Sequence, residues 1–369
     1  MSVIDRQALI ERFLSYVQID SEAGSEKTMG ERLVADLTQL GFTVTTHDLS
    51  KTAATNGFNV HATLPGDESL EPILFCCHMD TVAPGKGIRP RVCEDDYIRS
   101  DGTTILGADD KAGLCAIIEA MKVAKDGPHR TVEAAFTVCE ESTFDGAKQF
   151  DYSQVASKRC IIFDADGGPD HIIINAAGIN EVHAVITGKA AHAGIAPQDG
   201  VNAIQAGAYA VSNMKLMSVD KETTSNICKF SAESPLNIVT DRAELSFEVR
   251  SLIQEKLDAQ TSHIIACLED ACSTFGAKLT YEVIHLISPF RLSDDHPFIQ
   301  VVSDALRDIG LEPKLVTCRG GSDANIFNSN GIETINLGSG MDKVHSTEEQ
   351  QYIPHMVDCA RLSLRLMQP

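Results

Sequence analysis

Ile73-Leu74-Phe75-Cys76-Cys77-His78-Met79-Asp80 is an apolar, strand-length run that ends in an imidazole and a carboxylate. Two later stretches repeat the arrangement. Residues 132–138 run into Glu140-Glu141, and Ile161-Ile162-Phe163 runs into Asp164-Ala165-Asp166. Short apolar runs of this kind read as strands. In an open α/β sheet the crevice beyond the carboxyl ends of the strands is where ligands bind. Three separate strands therefore aim carboxylates and a histidine at one crevice. Asp109-Asp110, just after Gly107, and the later His345 add further candidates. Such a gathering of like charges is unfavourable without a cation, so the pattern predicts a metal site.

Outward from these runs, helices alternate with strands. Residues 4–18 and 27–40 carry apolar positions at helical spacing, and Gly41 suits the stop of the second helix. Residues 42–49 and 58–64 alternate as strands, and a helix over 110–125 lies between the first two ligand-bearing strands. This order predicts an α/β sheet with crossover connections. From about Gly178 the pattern changes to strand 181–187, helix 201–217, strands 227–232 and 243–249, helix 252–274 and strand 279–286. That order, β-α-β-β-α-β, is ferredoxin-like. After Ser288 the α/β style returns, with helix 297–309, strands 314–318 and 332–337, and a last helix over 353–367. The expected organisation is a discontinuous α/β domain, 1–177 and 288–369, interrupted by an inserted α+β lid and dimerisation domain over 178–287.

The formal net charge of −21 argues against nucleic acid or an anionic membrane as partner. No apolar run approaches the roughly 18 residues of a membrane span, and the first residues lack the pattern of a signal peptide. The eleven cysteines include no CxxC pair. They read as reduced thiols of a cytoplasmic protein.

Each motif has a chemical reading. His78 and Asp80 alternate along a strand end and share a face. A ligating imidazole commonly donates its second N–H to a carboxylate, so His78 reads as ligand and Asp80 as its orienting partner. An Asp opening the helix after Gly107 also suits an N-cap. A carboxylate there has two oxygens and can bridge two divalent ions, which leaves Asp109 and Asp110 both open. Glu140 and Glu141 are adjacent and project differently, so one can bind metal while the other carries a proton. Either Asp164 or Asp166 could ligate. His345 lies in a loop with little reason to hold a core histidine and supplies a nitrogen for a second ion.

Taken together, His78-Met79-Asp80-Thr81-Val82, GADDKAG over 107–113, CEES over 139–142, DADGG over 164–168 and RGGSDAN over 319–325 resemble the co-catalytic zinc aminopeptidase and carboxypeptidase family. That family includes peptidase T, aminoacylase and carboxypeptidase G, and the GADDKAG and RGGSD forms look most like the peptidase T branch. The resemblance implies a zinc-peptidase catalytic domain, with a mixed sheet flanked by helices, plus the inserted lid. It also implies two Zn2+ per subunit, with Co2+ or Mn2+ as substitutes. Asp109 would bridge them, His78 and Asp166 completing one site, Glu141 and His345 the other. Glu140 would be the general base and Asp80 the orienter. By the same resemblance His192 would stabilise the oxyanion, often from the partner of a homodimer. Arg250, in the lid, and Arg319, back in the catalytic domain, would bind the substrate carboxylate.

The expected activity is hydrolysis of short peptides with release of the N-terminal residue, as in a tripeptide aminopeptidase. An N-acyl amino acid amidohydrolase or a carboxypeptidase would use the same site. A binding protein of the same fold without catalysis is a third reading, but every position such a protein would have lost is present.

Overall fold

The computed structural model describes residues 3–369, which form two compact units. One holds the chain through Ile174 together with Leu292–Thr317 and Ser322–Pro369; the other holds Asn175–Arg291 and Cys318–Gly321. Arg319, assigned to the catalytic domain from the sequence, thus groups with the second unit.

The first unit is built on a mixed sheet. Val132–Thr137, Ile73–His78, Arg159–Ala165 and Glu333–Gly338 run parallel as neighbours in that order. Phe58–Leu64 joins one side antiparallel and carries Thr43–Asp48 beyond it, while His171–Ala176 pairs antiparallel on the other side. Every residue of Ile73–His78 and Val132–Thr137 is buried. Parallel strands are covered by helices on both faces, which is why Ile73–Cys77 reads as an unbroken apolar run, while Val132–Thr137 is interrupted by Glu133, whose buried carboxylate accepts from Ala156 and Ser157. The parallel register sets His78 opposite Thr137 and Ala165 opposite Gly338, so the ligand-bearing strand ends share one edge of the sheet.

The helix Ala108–Ala124 is buried almost throughout and packs against Ile353–Met367 and Arg6–Val17. Its close seat on the sheet depends on Gly113. A Cβ there would lie 2.6 Å from the Asp110 carboxylate, 2.8 Å from Phe163 and 2.9 Å from the Cys77 sulfur. Gly113→Ala would therefore force the helix off the strands that carry His78 and Asp164.

The second unit has the expected β-α-β-β-α-β order with one short strand, Met217–Ser218, added after its first helix. Its sheet runs Met217–Ser218, Thr223–Ser231, Arg242–Ser251, Gly178–Thr187, Lys278–Ile287, all antiparallel. Ala203–Asn213 and Gln254–Phe275 supply the helical side of its core, with Ala206, Ala210, Ile264 and Leu268 packed on Val182, Leu245 and Phe247.

Sequence reasoning erred locally. The helix expected over 201–217 stops at Asn213, and Met217 instead starts a strand with φ 65°. The strand His171–Ala176 and the helix Asp323–Ser329 were overlooked. So was a small sheet of Met341–Asp342, Gln350–Tyr352, Tyr97–Arg99 and Arg91–Val92.

Candidate metal centre

The carboxyl edge of the parallel strands gathers most of the predicted side chains. His78 is buried at the end of its strand, with Nε2 3.0 Å from Asp109 Oδ1. The other Asp109 oxygen, Oδ2, is 3.4 Å from His345 Nε2, and that nitrogen is also 3.0 Å from Glu141 Oε2. Asp109, rather than Asp110, lies between the two histidines and shows each a different oxygen. Asp110 is fully buried beside Gly113, and burial pushes its carboxyl well above the usual carboxylate range.

Two sets of donor atoms are compact enough to surround an ion: His78, Asp109 and Glu141, and His78, Glu140 and Asp164. In each set the donor atoms lie within 4.8 Å of one another. Asp166, which the family resemblance preferred, belongs to neither set. It is exposed, though burial of its carboxyl and repulsion from Asp109 still push its pKa up. The two aspartates alternate on one side of a strand end, which is why residue spacing alone left both open.

The electrostatics ask for positive charge. Burial raises the pKa of Glu140, Glu141 and Asp164, and mutual repulsion among the carboxylates raises it further. Hydrogen bonds to Asp109 and Glu141 push His345 up to about 10. One imidazole nitrogen between two carboxylates, and one carboxylate between two imidazoles, form a nitrogen and oxygen donor set that suits Zn2+, Co2+ or Mn2+. The residues present thus fit a divalent metal centre at this edge of the sheet.

Supporting carboxylates hold the ligand-bearing turns. Asp80 Oδ1 accepts from the Glu140 amide at 3.1 Å, and its Oδ2 from the Glu141 amide at 3.0 Å. His78 Nδ1 is 3.0 Å from the Asp80 backbone carbonyl and 3.6 Å from its carboxylate. Both the main-chain carbonyl of Asp80 and, at longer range, its carboxylate face His78 Nδ1, while the carboxylate also holds the Glu140-Glu141 turn. Glu26, at the start of the second helix, accepts from the Cys139 amide at 3.2 Å and from the Thr55 hydroxyl. Cys139 has φ 58°, so this turn needs outside support. Asp323, of the RGGSDAN stretch, accepts from Thr137 Oγ at 2.6 Å, and burial pushes it up to about 7. Glu349 accepts from four consecutive amides, Leu106 to Asp109. The roles of Glu26 and Glu349 escaped sequence reading because their partners are backbone amides, which leave no residue pattern.

His192, Arg250 and Arg319 belong to the second unit. His192 is exposed, and its Nδ1 accepts from the amides of Gly194 and Ile195, both at 3.2 Å. Its ring proton in the neutral form therefore sits on Nε2, which is left to donate. The Arg250 fork grips Glu248, Nε to Oε1 at 2.7 Å and Nη2 to Oε2 at 2.8 Å. Arg319 is exposed and donates to the Lys221 carbonyl at 2.8 Å.

Comparison with known proteins places the chain. An uncharacterised protein of Bacillus subtilis, YqjE, is 38% identical over 368 residues, covering 99% of both chains. The crystal structure of the aminopeptidase PepT from Bacillus cereus superposes with a TM-score of 0.90 at 38% identity, covering 99% of this chain and 98% of that one. A tripeptidase from Staphylococcus aureus gives a TM-score of 0.95 at 35% identity with the same coverage. Residues 74–368, from the first ligand-bearing strand to the last helix, match the profile of peptidase family M20/M25/M40, and the chain belongs to that family.

Proposed function

We propose that the chain is a di-zinc metallopeptidase that releases the N-terminal residue of short peptides, tripeptides above all. The observation that carries this reading is Asp109, with one oxygen toward His78 and the other toward His345 and Glu141. The similarity to an aminopeptidase and a tripeptidase at 35–38% identity supports the substrate class. The ligands in this reading are His78, Asp109, Glu141, His345 and, from the DADGG stretch, Asp166, with Asp164 the alternative that lies nearer His78 and Glu140. Two such ions, when bound, polarise the scissile carbonyl and make water a stronger acid. Glu140 takes the proton of the attacking water and returns it to the leaving amine. Its burial favours the neutral form and suits a group that must hold and release a proton. Asp80 keeps Glu140 and Glu141 on diverging paths through their amides.

The resemblance assigns the oxyanion to His192, whose free Nε2–H is the right donor, and the substrate carboxylate to Arg250 and Arg319. Arg250 would have to exchange Glu248 for the substrate. Eleven unbridged cysteines support a reducing, cytoplasmic setting, and among the described residues no helix is long and apolar enough to cross a membrane.

The reading is tested with one unblocked tripeptide beside its N-acetylated form, products identified by mass. Cleavage of the free form alone, with release of the N-terminal residue, is the expected result. Cleavage of the blocked form alone would replace it with an amidohydrolase acting at the same centre. The homodimer expected through the second unit is supported by exposed apolar side chains near His192, among them Ile195 at 78% and Leu236, fully exposed. Sedimentation at micromolar concentration should show a dimer; a fully active monomer would remove the dimer from the reading.

A further inference from the structure

Glu349 is buried, 1% exposed, and the cation whose charge it shares is the buried Lys111 ammonium. Its two oxygens are filled from the backbone. Oε2 accepts from Leu106 at 2.7 Å and Gly107 at 2.8 Å; Oε1 accepts from Ala108 at 2.7 Å and Asp109 at 3.1 Å. Four successive amides converge on one carboxylate because Gly107 has φ 73°, the left-handed conformation that curls the chain into a nest for an anion. The nest precedes the regular part of the helix Ala108–Ala124, whose backbone is non-helical at Asp109 and Asp110. The fourth amide belongs to Asp109, the residue between the two histidines. Glu349 itself lies four residues after His345. It is anchored by its amide to Ser346 O at 3.1 Å and by the following strand, Gln350–Tyr352, paired with Tyr97–Arg99.

We propose that Glu349 is a positioning residue for the metal centre: it fixes the Asp109 backbone in the nest and ties it to the loop that carries His345, so that both sides of the centre are set together. The proposal rests on the reading of Asp109 as the shared ligand. Glu349→Gln keeps the size but replaces one oxygen by an amino group that faces amide donors. It breaks two of the four bonds and sets donor against donor.

The test uses metal-free full-length protein, titrated with Zn2+ against a chromophoric chelator and with Co2+ by its visible spectrum. Glu349→Gln should retain the far-ultraviolet circular dichroism of the wild type. It should bind Zn2+ about 10–100-fold more weakly, the loss typical of groups that orient ligands, and its Co2+ spectrum should change. A residue that only stabilised the fold would lower the melting temperature and leave both metal readouts alone; that result would overturn the proposal. If Glu349→Gln fails to fold, Glu349→Asp carries the test. It keeps the charge but draws back from the nest, and wild-type Zn2+ affinity in it would equally overturn the proposal. Asp109→Asn in parallel separates the two levels. If it too binds Zn2+ like the wild type, the ligand reading has failed; if it loses affinity while the Glu349 variants do not, only the positioning role has.

Discussion

Glu140→Ala should keep its bound metal and lose turnover by about 10²–10⁴-fold, the usual contribution of a positioned general base. The geometry makes this a sharp test, because Glu140 lies close enough to His78 and Asp164 to be read as a ligand instead. The two roles differ in what removal does. A ligand takes metal with it, so content and activity fall together. A base leaves the ions in place, and activity falls alone. The neighbouring Glu141 is committed to His345 at 3.0 Å, and burial holds Glu140 toward its protonated form. This division of labour within a single dipeptide depends on Asp80, whose two oxygens hold the two amides apart. Metal content by emission spectroscopy alongside kcat on a tripeptide decides it. Parallel loss of metal and activity would make Glu140 a ligand and leave the base unassigned. Glu140→Gln should behave as the alanine variant does, since the amide keeps the shape but cannot take the proton.

Much of the site could be read from residues because it is written in side chains at strand ends. Ile73–His78 and Val132–Thr137 are covered on both faces, so both are mainly apolar, Glu133 apart, and the polar residues at and beyond their ends stand out. His345 could be suspected because a glycine-flanked loop gives an imidazole nothing to pack on. What escaped is the scaffold that acts through main-chain groups. Every residue has an amide, so a glutamate that binds four of them, as Glu349 does, looks like any surface glutamate in a run such as Thr347-Glu348-Glu349-Gln350. Glu26 stands just before the helix expected over 27–40 and reaches across to Cys139.

The misplaced elements have related causes. The strand His171–Ala176 lies between the DADGG turn and the strand expected over 181–187, and its apolar core, Ile172-Ile173-Ile174, is short. The overrun of the helix ending at Asn213 reflects apolar residues, Met214, Leu216 and Met217, that keep helical spacing while the chain has already left the helix. Periodicity reports which face is apolar and says little about where the backbone turns away.

Asp109→Asn should all but abolish activity, and its clearest signature should be thermal. Burial alone would raise the Asp109 carboxyl, but hydrogen bonds from His345 and His78 outweigh it and hold the group well below the usual carboxylate range. In metal-free protein the substitution has two opposing effects. It gives up the pairings with both histidines, and it also removes a negative charge that repels Glu140, Glu141, Asp164 and Asp166. The depressed carboxyl shows that the pairings win on balance, so the metal-free variant should melt below the wild type. With metal the balance changes, because only the carboxylate can give an anionic oxygen to each side of the centre. A ligand that binds only the folded state at 1,000 times its Kd stabilises it by about 4 kcal/mol per site, and each tenfold loss of affinity removes about 1.4 kcal/mol of that. Wild-type protein should show a large upward shift in melting temperature on Zn2+ addition, while Asp109→Asn should show a much smaller one. An undiminished shift in the variant would take the bridging role from Asp109. The size of the Zn2+-induced shift, rather than the starting melting temperature, separates loss of a ligand from loss of fold.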